Sequence, residues 1–405
     1  MSEPLTESRT TPGGPPPAAP APPGTPGRPA PSGPGRLSGL RRRLPWALPV
    51  AGSLILLALP FYLEAFWLRA GLFAMAAAIG AIGLNLLTGS TGQLSLGHSF
   101  FLAVGAYGYC VFAGDPDGTT VGWGLPPLLA MVLAVLLAGV AGGVFSPIAG
   151  RLRGAYLGIA TLALIFIGQH VLFNAKDLTG GFNGRAVPVL EFFGLSFDNE
   201  KVLVGGVPFT AVEKLWYLGL VLLAGCALFA VGVLKSRPGR AMNAIRDHRI
   251  AAGVMGIPVA RYRGAVFVLS SMYAGLAGVL LALVFQRTVP GYFGITLALT
   301  YLAMIVIGGL GSVGGAVLGA AFVTLIPQIL TRYSESLPLI SAPGTGGVAP
   351  GEAAELLYGA AVVAAVLFLP GGLVRLPLLL RMRREARRRT KNPTADVTRN
   401  MEVPT

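Results

Sequence analysis

Ten times along this chain a largely apolar run, close to the length that crosses a lipid bilayer, gives way to a short charged, proline-containing or glycine-rich segment. The runs are Pro45–Leu63, Ala70–Thr88, Leu94–Phe112, Leu125–Phe145, Ala155–Phe173, Leu215–Leu234, Tyr262–Phe285, Ile295–Gly308, Val313–Leu330 and Ala353–Leu369. About 20 apolar residues in a helix reach across the hydrocarbon, and a helix satisfies its own backbone polar groups where lipid offers no partners. The expected fold is all-α, a polytopic membrane protein of about ten transmembrane helices. A soluble fold is excluded: 12% of residues are charged and 53% hydrophobic, where soluble chains hold about a quarter charged residues.

The net charge of +14 is not spread evenly. With Arg41, Arg42 and Arg43 placed in the cytoplasm and the side alternated at each span, the inner segments hold 24 of the 31 Lys and Arg residues. That distribution follows the positive-inside rule and puts both termini inside. Basic segments facing anionic lipid explain the charge better than nucleic-acid binding does. Residues 1–35, dominated by Pro, Gly, Ala and Ser, cannot bury a core and read as a disordered cytoplasmic tail. Residues 36–374 form the expected membrane domain, and 375–405 a basic cytoplasmic tail. No signal-peptide layout precedes the first run, so that run is expected to stay as an anchor.

Two apolar regions are interrupted by polar and glycine-rich sequence. In "TGSTGQLSLGH", Gly89, Gly92 and Gly97 permit turns or close helix approach, while Thr91, Gln93, Ser95 and His98 offer hydrogen bonds. Irregular backbone at membrane depth must be buried in protein or line a watery path. Two readings fit: part of a pathway or gate, or a turn between the second and third spans. The second interruption, "IGGLGSVGGAVLG", contains Gly309-x-Gly311-x-x-Gly314, with Glu335 near the acidic position of a dinucleotide fingerprint. Its setting among membrane spans, with no parallel strand to follow, favours a tight reversal and helix contact instead.

Several chemistries are missing from the sequence. No Asp or Glu lies in the middle of a span, as ion-coupled carriers generally require. No phosphate-binding G-x-x-x-x-G-K-[ST] occurs, and neither a nucleophile elbow nor H-E-x-x-H is present, which argues against an intramembrane enzyme. Cys110 and Cys226 sit in apolar runs without metal-ligand spacing and are expected to be small apolar fillers.

Two connecting segments are long enough to have structure of their own. In the inner loop "SRPGRAMNAIRDHRIAAGVMGIPVARYR", Pro238 and Gly239 can open a helix, and Ala241, Ile245, Ala252 and Met255 recur at helical spacing among Arg240, Arg246, Asp247 and Arg249. Such a helix would lie on the membrane surface or press into a partner's groove. The outer loop carries "KDLTGGFNGR", which contacts a partner, caps a cavity or is simply an ordered turn.

Taken together, "GLNLLTGSTGQLSLGHSFFLAVGAY", "YLGIATLAL", "DLTGGFNG", "GRAMNAIRDHRIAAGVMGI", "FVLSSMYAGLAGVL" and "VIGGLGSVGGAVLGA" resemble, in that order, the LivM family of bacterial ABC importer permeases for branched-chain amino acids. The resemblance runs from about Ala70 to Leu373. It implies a permease fold in the cytoplasmic membrane that pairs with a second homologous permease, two cytoplasmic ATP-binding subunits and an extracytoplasmic substrate-binding protein. No cofactor would be bound by this chain, and ATP would be hydrolysed by the partner subunits.

The inner loop then resembles a coupling helix, with Gly239, Arg240, Arg246, Ala251, Ala252 and Gly256 as the ATPase-coupling residues. Ile250 occupies the position where the motif usually has an acid, which implies apolar docking. Gly89, Thr91, Gly92, Gln93, Ser95, Gly97, His98 and Thr161 are the expected substrate pathway. The competing functions are a related permease for urea, short amides or other amino acids, an ion-coupled carrier, and an intramembrane enzyme or scaffold.

Overall fold

The computed structural model describes residues 52, 54–116, 120–152, 154–192, 195–198, 202–204, 207–333, 350–368 and 372–375. The compact helical unit begins at Leu56. The N-terminal tail, residues 376–405 and Glu335 lie outside the described residues, as do residues 45–51 and 53 of the first apolar run, Pro45–Leu63.

Each of the other nine expected runs coincides with a helix over most of its length. In chain order these are α1 (Ala65–Thr91), α2 (His98–Ala113), α3 (Pro127–Arg151), α4 (Ala155–Asn174) and α5 (Ala211–Lys235). After the short helices α6 (Arg237–Asp247) and α7 (Arg249–Val254) come α8 (Val259–Phe285), α9 (Ile295–Gly308), α10 (Val313–Arg332) and α11 (Pro350–Phe368). Among the described residues α1, α3, α4, α5, α8 and α10 are long and apolar enough to cross a membrane, and α2 and α9 are shorter apolar helices. The protein is thus a polytopic, helical membrane protein.

Its helices differ in how much of their surface they bury. The apolar cores of α1 and α8 are 89% and 78% buried, whereas that of α5 is 11% buried. Side-chain size explains the contrast. The centre of α1 is built from Ala, Gly and a few Ile and Leu, so neighbouring backbones approach on every side. On α5, Val221, Leu228 and Phe229 point outward, as a lipid-facing surface would. Contact between α2 and α8 depends on glycine: a Cβ at Gly278 would lie 2.0 Å from the carbonyl oxygen of Leu102, and one at Gly105 would lie 2.1 Å from that of Gly275.

Short antiparallel ladders complete the fold in the segment between α4 and α5. Here β2 (Glu191–Phe192) pairs with β3 (Leu195–Ser196), and β4 (Val202–Val204) with β5 (Val207–Phe209). Strand β1 (Arg185–Ala186) pairs across the molecule with β6 (Arg287–Thr288). The segment is anchored where α5 starts, by a capping box in which the Thr210 N–H donates to Glu213 Oε2 over 2.7 Å. Lys214 Nζ, 3.5 Å from Asp198 Oδ1, adds an ion pair.

Two expectations need correction. The third run does not become helical at Leu94; residues 92–97 are irregular and α2 starts at His98. The inner loop is two helices rather than one, because His248 leaves helical geometry at φ −146°, ψ 89°. The break shifts the phase of the apolar face: Met242, Ile245 and Ala252 are buried, while Met255 is 82% exposed.

Candidate functional site

The irregular segment 92–97 is held by polar side chains of its neighbours. Helix α1 ends at Gly92, whose φ of 67° lies in the left-handed region that glycine accepts. Just before it, the hydroxyls of Ser90 and Thr91 fold back onto the carbonyls of Leu86 and Leu87. Thr88 Oγ1 donates to the Gln93 carbonyl over 3.0 Å. Gln93 Nε2 then donates to Thr91 Oγ1 at 2.9 Å and to the carbonyl of Arg263 at 3.2 Å, joining the break to α8. On the other side, Thr161 Oγ1 accepts from the Leu96 N–H at 2.9 Å, joining it to α4. Gly97 packs there as well, since a Cβ would sit 3.0 Å from the Thr161 carbonyl.

All eight expected pathway residues therefore gather in one neighbourhood. Thr91, Gln93, Ser95, His98 and Thr161 are buried. Much of this polarity satisfies backbone: Thr161 also donates to carbonyls of its own helix. Other atoms keep unused hydrogen-bonding capacity. Gln93 Oε1, His98 Nε2, Ser99 Oγ and Tyr301 Oη are buried without a protein partner. The rings of His98 and Tyr301 pack with centroids 5.0 Å apart. Tyr301 also lines a cavity of about 280 Å³ with Phe73, Met304, Val323 and Gln328 among its walls, so it stands between His98 and that space.

The second glycine-rich interruption docks onto the first. Gly309 and Gly311 have φ of 118° and 80°, forming a turn that only glycine adopts without strain. Asn85 of α1 clasps this turn with both ends of its amide: Nδ2 donates to the Ser312 carbonyl at 2.7 Å and Oδ1 accepts from the Gly311 N–H at 2.9 Å. Gly89 makes the approach feasible, for a Cβ there would lie 2.3 Å from the Gly311 nitrogen. The tight reversal expected from "GGLGSVGG" is present. Asn85 was not among the expected site residues; its signal was an amide inside an otherwise apolar run.

The two short helices reach the same place. Arg246 Nη1, from α6, donates to the Gly89 carbonyl over 2.8 Å, and its Nε lies 3.0 Å from Asp247 Oδ1. Gly239 allows the sharp passage from α5 to α6, since a Cβ would meet the Leu234 carbonyl oxygen at 2.2 Å. Arg240 is exposed, with one long bond of 3.4 Å to the Lys235 carbonyl. On α7 only Ala252 is buried, while Ala251 is exposed and Gly256 follows in the left-handed region at φ 81°. Ile250 is 81% exposed and Val254 84%, so with Met255 they form an exposed apolar edge.

Arg263, another residue absent from the expected set, is buried and donates to the carbonyls of Gly150 and Leu152 at 3.1 and 2.9 Å. The break, the Gly309–Ser312 turn, the end of α3 and the basic inner loop thus lie together at one end of the bundle. Alternating spans require this arrangement. Among the described residues no group of three or more His, Cys, Asp or Glu side chains could hold a metal ion.

Residues 67–366 match the family described as branched-chain amino acid transport system, permease component. The high-affinity branched-chain amino acid transport system permease protein LivM of Salmonella typhimurium is 30% identical over 293 residues, covering 69% of this chain and 67% of that protein. LivM of Escherichia coli is 30% identical over 298 residues, covering 71% and 68%. The permease protein LivH of Escherichia coli is 26% identical over 265 residues, covering 63% of this chain and 82% of its own. Among solved structures, PsaBC from Streptococcus pneumoniae in complex with Fab aligns at 15% identity with a TM-score of 0.40, covering 76% of this chain and 93% of that one, too loosely to assign a fold.

Proposed function

The chain belongs to the family of permease components of branched-chain amino acid transport systems, and on that premise we propose that it is the transmembrane permease subunit of an ATP-driven importer that carries leucine, isoleucine and valine across the bacterial cytoplasmic membrane. It is a transport protein and not an enzyme. In this reading it has about ten spans and both termini in the cytoplasm. Its partners are a second homologous permease, two ATP-binding subunits on the basic side and a substrate-binding protein on the opposite side. Similarity to both LivM and LivH proteins supports a two-permease assembly.

The observation that carries the mechanism is the convergence of α6, the break and the Gly309–Ser312 turn on one point. ATP-driven closure of the ATPases would press on the exposed edge of α7 and on Ala251, Ala252 and Gly256, with Gly239, Arg240 and Arg246 setting the position of the short helices. Arg246 passes that movement to Gly89, at the end of the most deeply buried helix. Displacement of α1 carries Thr91, Gly92, Gln93 and Ser95 with it, and through Gly97, His98 and Thr161 shifts α2 and α4. The unpartnered atoms of Gln93 and His98 supply hydrogen bonds along the path. The small cavity behind Tyr301, mostly apolar, suits an aliphatic side chain.

The test is uptake of radiolabelled leucine, isoleucine, valine and urea into proteoliposomes holding this chain with its partner subunits, with and without internal ATP and external binding protein. Uptake of the aliphatic amino acids that needs both is the expected result. ATP-dependent uptake of urea alone would replace the substrate, and uptake by the unaided chain would overturn the importer reading.

A further inference from the structure

At the end of the bundle away from the basic loop, a cleft of about 600 Å³ opens between the α2–α3 connection and the β1–β6 ladder. Its charged lining is Asp115, Lys176, Arg185 and Arg287. Asp115, Lys176 and Arg287 are exposed, as rim residues usually are. Arg185 is different, being only 6% exposed.

The guanidinium of Arg185 is held but not neutralised. Its Nη1 donates to the carbonyls of Val121 and Leu178 at 3.0 and 3.1 Å, while its buried Nε has no hydrogen-bond partner. Among the described residues no carboxylate pairs with it. A buried cation without an anion is unfavourable, and retaining one at the wall of a cleft points to an anion that arrives from outside. The surroundings are shaped for it. Gly114 leaves room for the guanidinium, since a Cβ there would lie 2.6 Å from Nη2. The ladder sets Arg185 opposite Thr288 and Ala186 opposite Arg287, so the two arginines leave the strands on opposite faces, yet both line the cleft, Arg287 with its Nε on the Asn183 carbonyl at 2.9 Å. Gly184, at φ 63°, brings the backbone so close to Thr288 that a Cβ would be 2.1 Å from its carbonyl oxygen.

We propose that this cleft is a binding site for a free amino acid at the outer mouth of the permease, with Arg185 and Arg287 taking the α-carboxylate and Asp115 the α-ammonium. Planar guanidinium groups match a carboxylate with paired hydrogen bonds, and the opposite charge of Asp115 selects a zwitterion over a plain anion. Val187 and Pro188 offer apolar wall for the side chain. The inference rests on the importer reading and adds to it a site, on this subunit, that selects for the backbone charges of the cargo.

Saturation-transfer NMR on the full chain in nanodiscs tests it, with leucine, leucinamide and 4-methylpentanoate as probes. Leucine should bind about tenfold more tightly than leucinamide, the difference expected when a charge-assisted carboxylate contact is lost. Arg287→Gln should weaken leucine but not leucinamide, and Asp115→Asn should weaken leucine but not 4-methylpentanoate. Arg185→Gln should act as Arg287→Gln does, but it also removes two hydrogen bonds to loop carbonyls, so the two rim variants carry the test independently. Equal binding of leucine and leucinamide, no binding of leucine, or unchanged leucine binding in both rim variants would overturn the proposal. ATP-dependent uptake by the assembled transporter reads the importer function separately. Leucine uptake alongside insensitive binding sinks the cleft alone, whereas charge-dependent binding without leucine uptake sinks the importer reading alone.

Discussion

Arg246 reaches from the basic inner loop to the Gly89 carbonyl, a hydrogen bond of 2.8 Å between residues 157 apart in sequence. It connects the helix pair beside an exposed apolar edge to the end of the most buried helix in the bundle. Removing it with Arg246→Ala should lower leucine uptake per ATP hydrolysed about fivefold, corresponding to about 1 kcal/mol for a charge-assisted bond that is partly open to solvent. Transport and hydrolysis measured in the same proteoliposomes check this, and an unchanged ratio would mean that Arg246 transmits nothing.

Asn85 is expected to matter for stability. Asn85→Leu keeps the branched outline of the side chain and removes both amide hydrogen bonds, leaving the Gly311 N–H and the Ser312 carbonyl without their partner. Because Gly311 is exposed and Ser312 half-buried, each lost bond costs about 0.5–1.5 kcal/mol, and the melting temperature of the detergent-solubilised protein should fall measurably. A variant that melts like the parent would show that the turn is held by packing alone.

Thr161 separates a structural role from a lining one. Thr161→Ser keeps the hydroxyl that accepts from Leu96 N–H, and Thr161→Val removes it. Valine should destabilise by about 1–3 kcal/mol through the orphaned amide, and serine much less. If both variants are stable and only uptake changes, Thr161 faces the path rather than supporting the break.

Ala251 is exposed beside Ile250, so a charge there does not disturb the chain's own packing. Ala251→Glu should leave the stability within about 0.5 kcal/mol of the parent, as surface changes do, yet uncouple uptake from ATP hydrolysis. Coupling that survives intact in reconstituted vesicles would sink the docking assignment of α7.

Two glycines in apolar helices should respond oppositely to the same substitution. At Gly278 a Cβ meets the Leu102 backbone at 2.0 Å, which no rotamer relieves, whereas at Gly225 nothing lies within 4 Å. Gly278→Leu should abolish recovery of monodisperse protein, and Gly225→Leu should be tolerated. Size-exclusion profiles of the two variants decide the point, and similar profiles would argue that α2 and α8 are not in close contact.

Sequence alone determined the helical, polytopic character of the chain, the place of its two polar breaks and the short reversal at Gly309–Ser312. These follow from properties of contiguous residues: an apolar run must satisfy its backbone internally, and clustered glycines permit turns. Helix limits followed less well. Leu94–Gly97 looks helical by hydropathy, yet Thr161 on α4 takes the Leu96 N–H out of any helical pattern. The single helix expected across the inner loop ends at His248, which moved Met255 from the expected buried face into the open.

Only the tertiary structure decided what the polar residues touch. Asn85 with Gly311, Arg246 with Gly89, Arg263 with Gly150 and the Arg185–Arg287 cleft each join segments about a hundred or more residues apart. An amide or guanidinium in the sequence states what it can donate or accept. Which carbonyl it meets depends on how the apolar faces of α1 and α8 pack, because that packing sets the distances and a hydrogen bond forms only within a few tenths of an ångström of its ideal length.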